Sequence, residues 1–199
     1  MPAPGTPASA PLPSTSTAGS PLQRLRDAPR RPGQAAVFFH HAQLRHDAVK
    51  VLPGEYFVHD GDILITTTLG SCIATCLWDR RRRIGGMNHF VLPEGTGADP
   101  GRYGEHAMAT LLAEMLRRGA ARETIEAKVF GGAAVVDGID AIDVGALNTR
   151  FVLDYLRRER IPVVSMDVLD ACPRLVCFLP ADGRVLVKRL ARGSARDEG

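Results

Sequence analysis

The sequence predicts an α/β protein, more closely an α+β arrangement in which two helices cover one side of mixed β-sheets. Short runs rich in β-branched residues recur between turn-forming residues, as strands do. Two longer segments, near residues 104–119 and 148–160, repeat their apolar residues with the helical period. Amphipathic helices bury their apolar stripe against a neighbouring layer, so this order of elements predicts a layered architecture.

The first segment of the chain is predicted to be a disordered tail. Residues 1–33 consist mainly of Pro, Ala, Ser, Thr and Gly with scattered arginines, and bury too little apolar surface to offset their ordering entropy. A transit peptide would share this composition and is the less favoured interpretation. We expect one catalytic domain over residues 34–190, with its folded part opening near Val49, and a flexible tail over residues 191–199.

The strands and helices follow from local signals. Gly119 is placed to end the first helix, Asn148 to cap the start of the second, and Pro162 to separate it from the next strand. Residues 181–183, Ala-Asp-Gly, predict a hairpin turn between the last two strands. The predicted strands are residues 63–68, 73–78, 84–91, 127–130, 163–168, 174–179 and 184–190.

Charge and cysteine usage exclude several classes of protein. The 199 residues carry a formal net charge of +3, which is small for a dedicated nucleic-acid binder. No apolar run reaches the roughly 18 residues of a membrane span and no secretory signal is recognisable, so we expect a cytoplasmic protein. Cys72 and Cys76 would lie about 13 Å apart on one strand, beyond disulfide reach. The spacing of cysteines and histidines fits no zinc site, so we expect free thiols without metal or cofactor.

The most informative stretch is residues 66–93, TTTLGSCIATCLWDRRRRIGGMNHFVLP. It predicts a strand, a tight Gly70-Ser71 turn, a second strand opened by Cys72, a charged turn, and a third strand containing His89. Such a hairpin would bring a thiol and an imidazole side by side. A thiol attacks as thiolate, and a neighbouring imidazole is the usual base that generates it. The segment is therefore predicted to hold a Cys-His catalytic pair, with activity falling below the ordinary histidine pKa of about 6.5.

The same residues resemble a known family. TLGSC, then GGMNHFVLP after the charged turn, then KVFGGA, are similar to the CheD chemoreceptor glutamine deamidases of bacterial chemotaxis, and the resemblance covers residues 49–188. It implies a three-layer α-β-β sandwich, like the catalytic domain of the cytotoxic necrotizing factor toxins. It also implies a protein-glutamine glutaminase that converts receptor glutamines to glutamates through a thioester.

Within this resemblance, Cys72 is the nucleophile and His89 the general base and acid. The family's third catalytic member, a threonine six positions before the cysteine, corresponds to Thr66, whose hydroxyl would hydrogen-bond His89 and fix its tautomer. On a regular strand Thr66 and Thr68 share a face and Thr67 points away. The implied partners are the cytoplasmic helices of methyl-accepting chemotaxis receptors and, for some members, the phosphatase CheC.

Backbone N–H groups would have to stabilise the oxyanion formed on the attacked amide. Gly70, Ser71 and the N–H of Cys72 are the candidates, whereas Asn88 is expected to point away from His89. The charged turn is a candidate for docking an acidic receptor surface rather than nucleic acid. Its residues are Arg80, Arg81, Arg82 and Arg83.

Two other functions remain open at this point. A non-catalytic regulator that binds receptors or CheC would need the surface without the chemistry, although retention of Cys72, His89 and Thr66 favours an enzyme. A cysteine protease or a transglutaminase-like enzyme would use the same groups on another bond or acceptor. The sequence departs from the family at residues 170–173, Asp-Ala-Cys-Pro, where a glycine-rich loop is expected, and this departure bears on partner docking.

Overall fold

The structure, a computed structural model, describes residues 20–134 and 143–191. The helices within these ranges are α1 Pro21–Asp27, α2 Gly104–Arg117 and α3 Val144–Arg158. The strands are β1 Val37–His41, β2 His46–Lys50, β3 Tyr56–His59, β4 Leu64–Leu69, β5 Ile73–Asp79, β6 Ile84–Phe90, β7 Ile125–Gly131, β8 Val163–Val168, β9 Arg174–Phe178 and β10 Val185–Arg189.

The strands form two five-stranded sheets. Sheet I has the order β3-β6-β5-β7-β8 and sheet II has the order β1-β2-β4-β9-β10. Both are mixed, because β7 and β8 are parallel in sheet I and β2 and β4 are parallel in sheet II. Parallel neighbours need a crossover connection. The segment containing α3 supplies one, and the other passes through β3 in the opposite sheet.

Helices α2 and α3 cover the outer face of sheet I. The buried side chains Ala107, Met108, Leu111 and Met115 recur at helical spacing on α2 and pack with residues of sheet I and α3 in one cluster. The helix ends as predicted, with Gly119 at a φ of +94°, a conformation that glycine adopts without steric penalty. None of the helices in residues 20–134 and 143–191 is long and apolar enough to cross a membrane.

A second core fills the space between the sheets. Strand β4 contributes Ile65 and Leu69, β9 contributes Phe178, and β6 contributes Met87 from the opposite sheet. Leu64 joins a separate cluster instead, because successive side chains of a strand point to opposite faces. The layers are therefore helices, sheet I and sheet II, which confirms the predicted α-β-β sandwich.

The second helix begins earlier than predicted. Helix α3 starts at Val144, and its N-cap is Asp143, whose Oδ1 accepts a hydrogen bond from the N–H of Ala146 at 2.9 Å. Asp and Asn are about equally good N-caps, so composition alone did not choose between positions 143 and 148. Asn148 consequently lies inside the helix, where its side chain is free for another task.

The N-terminal boundary also differs. Residues 20–33, expected to belong to a disordered tail, are ordered, whereas residues 1–19 and 192–199 lie outside the described residues. Leu22 and Leu25 of α1 pack against the core between the sheets, and the Nη2 group of Arg26 donates to the carbonyl of Phe38 at 2.9 Å. The hairpin β1–β2 likewise precedes Val49 almost entirely. Two apolar residues one turn apart were enough to dock a helix of only seven residues.

Removing α1 should therefore lower stability. Half-burial of two leucines contributes about 2 kcal/mol, and its loss should reduce the melting temperature by roughly 4–8 °C. The measurement is thermal unfolding of a chain beginning at residue 30, compared with a control chain beginning at residue 20 that keeps the helix. Identical melting temperatures for the two chains would show that α1 adds nothing to the core.

Candidate active site

Cys72 lies at the end of a short turn that carries the chain from sheet II to sheet I. It directly precedes β5, and its thiol is half-buried. All four cysteines are free thiols, and Cys76 and Cys177 are buried. The N–H of Gly132 donates to the carbonyl of Cys72 at 2.8 Å. Gly131 sits at a φ of +110°, and a Cβ there would collide with the same carbonyl. Strand β7 can approach the cysteine this closely only because position 131 is glycine.

The β5–β6 hairpin brings Cys72 and His89 to one face of sheet I. His89 is directly opposite Ala74, and Cys72 is two residues before Ala74. Directly opposite residues in an antiparallel pair share a face, as do residues two apart on a strand. Cys72, just before the first residue of β5, packs against the cluster between the sheets, and His89 faces the same space through its contact with Thr67. The register thus places both residues at the same end of the β5–β6 hairpin.

His89 is 3% exposed, and its ring is hydrogen-bonded through Nδ1. Its Nδ1 lies 2.9 Å from the hydroxyl oxygen of Thr67, and that hydroxyl donates to the carbonyl of Val51 at 2.7 Å. Because the single hydroxyl proton is used on Val51, the oxygen of Thr67 accepts, and Nδ1 carries the imidazole proton. Nε2 is then the unprotonated nitrogen, and this buried atom has no hydrogen-bond partner within the described residues. Its lone pair is available to accept a proton.

The threonine beside His89 is not the one that was predicted. Thr66 donates instead to the carbonyl of Val49 at 3.3 Å and makes no contact with the imidazole. Strand β4 directs Ile65 and Leu69 into the space between the sheets, so Thr67, with the same parity, faces His89. The family resemblance indicated which sequence position corresponds to the threonine, but not which face of β4 that residue occupies. The sequence did not distinguish the two faces, because Leu64 is as apolar as Ile63 and Ile65.

Burial shifts the pKa of both His89 and Cys72. Desolvation lowers the pKa of His89 to about 4, opposed by a hydrogen bond to the carbonyl of Val51 and assisted by the positive charge of Arg102. Burial raises the pKa of the Cys72 thiol, and Arg102 acts in the opposite direction. The resting pair is therefore a neutral thiol beside a neutral imidazole. The acid limb of activity should lie near pH 4 rather than near the ordinary histidine pKa.

The same shift makes folding stability depend on pH. The folded pKa of about 4 lies below the ordinary 6.5, so the unfolded chain binds the proton first and stability is lost as pH falls between these values. A difference of about 2.5 pKa units corresponds to about 3 kcal/mol. Denaturant titrations at neutral pH and near pH 4 should show this loss in the wild type and less of it in His89→Gln. His106→Gln, on an exposed face of α2, is the control. Parallel pH profiles for wild type and His89→Gln would contradict the assignment.

The turn before Cys72 is fixed through its carbonyl groups. The carbonyl of Gly70 accepts from the N–H of Ala133 at 2.8 Å, and the carbonyl of Ser71 accepts from the Nδ2 of Asn148 at 3.1 Å. The N–H of Cys72 lies against its own thiol. Asn88 points to the helix layer, as expected, and contacts Met108 there.

The basic turn lies far from this site. All four arginines at positions 80–83 are exposed, at the end of the hairpin opposite to Cys72. Six residues separate Arg83 from His89, a distance of about 20 Å along an extended strand. Arg102 is the cation that lies near the pair. Val91 and Leu92 both donate to its backbone carbonyl, and its Cγ would be 3.2 Å from a Cβ at Gly54. Sequence reasoning missed Arg102 because the short segment that contains it carries no motif.

No group of three or more His, Cys, Asp or Glu side chains within residues 20–134 and 143–191 is arranged to hold a metal ion. The chemistry that the described groups offer is acyl transfer. A half-buried thiol lies at the same end of the β5–β6 hairpin as an imidazole with a fixed tautomer, next to a backbone N–H group and an exposed arginine.

Comparison with known proteins identifies relatives over most of the chain. The family model described as CheD chemotactic sensory transduction matches residues 91–189. A probable chemoreceptor glutamine deamidase CheD 1 of Albidiferax ferrireducens is 58% identical over 89% of this chain and 77% of its own. Similar proteins of Bordetella petrii and Dechloromonas aromatica, with corresponding names, are 54% and 50% identical. They cover 72% and 73% of this chain, and 67% and 75% of their own.

A match to 89% of the chain necessarily spans both Cys72 and His89, although the family model itself begins two residues after the histidine. Among solved structures, the Bacillus licheniformis hypothetical protein YfiH aligns with 58% of this chain and 51% of its own. The TM-score is 0.40 and the identity 13%, too distant a likeness to bear on fold or function.

Proposed function

The chain belongs to the CheD family, and on that premise we propose that it hydrolyses the side-chain amide of chemoreceptor glutamines through a thioester on Cys72. One observation carries the mechanism. Nδ1 of His89 is held by the hydroxyl of Thr67, which leaves the buried Nε2 unprotonated and without a hydrogen-bond partner among the described residues. This is the arrangement that a general base needs before its thiol is activated.

The reaction begins with transfer of the thiol proton to Nε2 of His89. The thiolate attacks the amide carbon of the glutamine side chain, and the carbonyl oxygen becomes an oxyanion. The imidazolium then gives its proton to the nitrogen, the C–N bond breaks, and ammonia leaves a thioester on Cys72. A water molecule loses a proton to Nε2 and attacks the thioester. Collapse releases glutamate and returns the proton to the sulfur, so the enzyme is regenerated without a cofactor.

The resting protonation states fit this sequence. A neutral imidazole with a pKa of about 4 is ready to accept a proton, but alone it would be too weak a base to hold one. Formation of the thiolate beside it supplies the opposite charge that stabilises the imidazolium. The ion pair of Cys72 thiolate and His89 imidazolium therefore forms in the complex with substrate, because the substrate displaces water and so strengthens electrostatic interactions.

Arg102 is the residue best placed to contact an acidic substrate surface near the reacting amide. Arg102→Ser should raise KM for a receptor fragment several-fold at low salt and less at high salt, since exposed charges are screened over about 8 Å at physiological ionic strength. Replacing the four arginines at positions 80–83 with serine tests the more distant docking proposal in the same assay. The readout is KM as a function of salt, with Arg150→Ser, on the exposed side of α3, as a single-charge control. Equal effects of Arg102→Ser and Arg150→Ser would remove the local role.

The test of the proposed function is mass spectrometry of receptor cytoplasmic fragments after incubation with the protein. Conversion of glutamine to glutamate at defined positions is expected, with negligible turnover of free glutamine, because remote substrate contacts supply the binding energy that aligns the amide. Backbone cleavage or cross-linking to amines would instead indicate the protease or transglutaminase alternative. Binding to receptors or to CheC without any conversion would indicate the non-catalytic regulator.

A further inference from the structure

Asn148 joins the two segments that carry the catalytic pair. It lies inside α3, is 0% exposed, and donates from Nδ2 to two carbonyl oxygens. One belongs to Ser71, at 3.1 Å, and the other to Val91, at 2.8 Å. Ser71 directly precedes Cys72, and Val91 follows His89 by two residues. A single side chain from the helix layer therefore ties together the start of β5 and the end of β6.

The rest of this amide is not satisfied. Both partners are carbonyl oxygens, which can only accept, so the NH2 group must face them and the side-chain oxygen faces elsewhere. That Oδ1 atom is buried without a hydrogen-bond partner in the described part of the chain. The two hydrogen bonds that the amide does make both end on the segments that carry Cys72 and His89, so the side chain fixes the geometry of these segments.

The geometry concerns the peptide between Ser71 and Cys72. In a trans peptide the C=O and the following N–H point in opposite directions. Because the carbonyl of Ser71 is drawn toward α3, the N–H of Cys72 is turned away from the helix layer, toward the face that holds the thiol and His89. We propose that Asn148 is a positioning residue that aims the Cys72 N–H at the oxyanion of the acyl-transfer step. This inference rests on the proposed deamidase function, and it assigns a specific backbone donor and the side chain that orients it.

The test separates acyl transfer from simple reactivity of the thiol. Alkylation of Cys72 by iodoacetamide is a displacement at carbon and forms no oxyanion, whereas deamidation does. Asn148→Asp keeps the shape but loses both N–H donors, and Asn148→Ala loses the whole group. Each should lower kcat for receptor-glutamine deamidation by about 100-fold, as for loss of an oxyanion donor. KM and the alkylation rate should stay within about threefold of the wild-type values, since loss of transition-state binding alone leaves them unchanged.

The matched control is Asn88→Ala. Asn88 is equally buried, at 1% exposure, and bonds the N–H of Thr75 and the sulfur of Met108 on the opposite face of sheet I. This variant should lose stability while keeping the ratio of deamidation to alkylation. Parallel loss of both reactions in the Asn148 variants, or an unchanged kcat, would overturn the proposal.

A second measurement tests the positioning role even if the wild type shows no deamidation or one of the variants does not fold. Hydrogen–deuterium exchange should become faster in Asn148→Asp at residues 69–75 and 89–93 together, and at neither in Asn88→Ala. Absence of deamidation by the wild type would defeat the proposed function, and the exchange result would still decide whether Asn148 fixes the peptide. Unchanged exchange at both segments would refute the positioning role independently of activity.

Discussion

Cys72→Ala is expected to abolish conversion of receptor glutamines, with a loss of at least about a thousandfold, because the thiol of Cys76, on the same face of β5, is fully buried and desolvation raises its pKa. The fold should survive, since the change removes one half-buried sulfur atom and leaves every backbone hydrogen bond of the turn in place. The measurement is the rate of glutamate formation in receptor fragments, followed by mass spectrometry. Melting temperature, measured in parallel, separates lost chemistry from lost structure.

Cys172→Ala is the matched control for this prediction. Cys172 is also half-buried and is free, and it lies in the loop before β9. Its removal should leave turnover within about twofold of the wild-type value, because its thiol is not part of the proposed Cys-His pair. Substantial turnover in Cys72→Ala would end the nucleophile assignment. Loss of activity in both variants would mean that the assay reports a general effect of thiol removal.

Thr67→Val should lower kcat by about 100-fold, whereas Thr66→Val should change it less than threefold. The two substitutions are isosteric, occur on the same strand and remove one hydroxyl each. Only Thr67 contacts Nδ1 of His89, while the hydroxyl of Thr66 bonds the backbone of β2. Without this hydroxyl the ring keeps only its hydrogen bond to the carbonyl of Val51, so it can flip or exchange tautomers more readily, and Nε2 then spends part of its time protonated and unable to act as base.

The 15N chemical shifts of His89 provide the direct measurement. In the wild type they should report a protonated Nδ1 and an unprotonated Nε2, and in Thr67→Val they should move toward a mixture of tautomers. A larger loss of kcat in Thr66→Val would support the position given by the family resemblance and refute the contact seen in the structure.

The β5–β6 hairpin was predictable because its signals are local. A glycine-serine turn, β-branched strands and a charged turn fix the register that places Cys72 and His89 at the same end of the hairpin, and these features lie within twenty residues. The two helices of the outer layer were predictable for the same reason, since apolar residues recur at helical spacing. The three-layer order came from resemblance, because periodicity does not state which face of a sheet meets another sheet.

The unpredicted parts depend on contacts between distant segments. The side chain of Asn148 reaches residues more than fifty positions earlier in the sequence, and Arg102 approaches the site from a single-turn 3-10 helix, Pro100–Arg102. The choice between Thr66 and Thr67 depended on strand phase, where an error of one residue exchanges the two faces. The docking of α1 depended on two leucines whose burial no local composition reveals.

His89 belongs to sheet I and Cys72 directly precedes a strand of that sheet, whereas Thr67 belongs to sheet II. The 2.9 Å contact between Thr67 and His89 therefore crosses the seam between two layers that are held together by side-chain packing. An interface of this kind opens when the side chains that fill it become smaller, well before either sheet loses the hydrogen bonds between its strands. The turnover rate therefore depends on the distance between the two sheets. On heating, turnover should be lost while both sheets are still intact. Replacing the side chains between the sheets with smaller ones should lower the temperature at which turnover is lost.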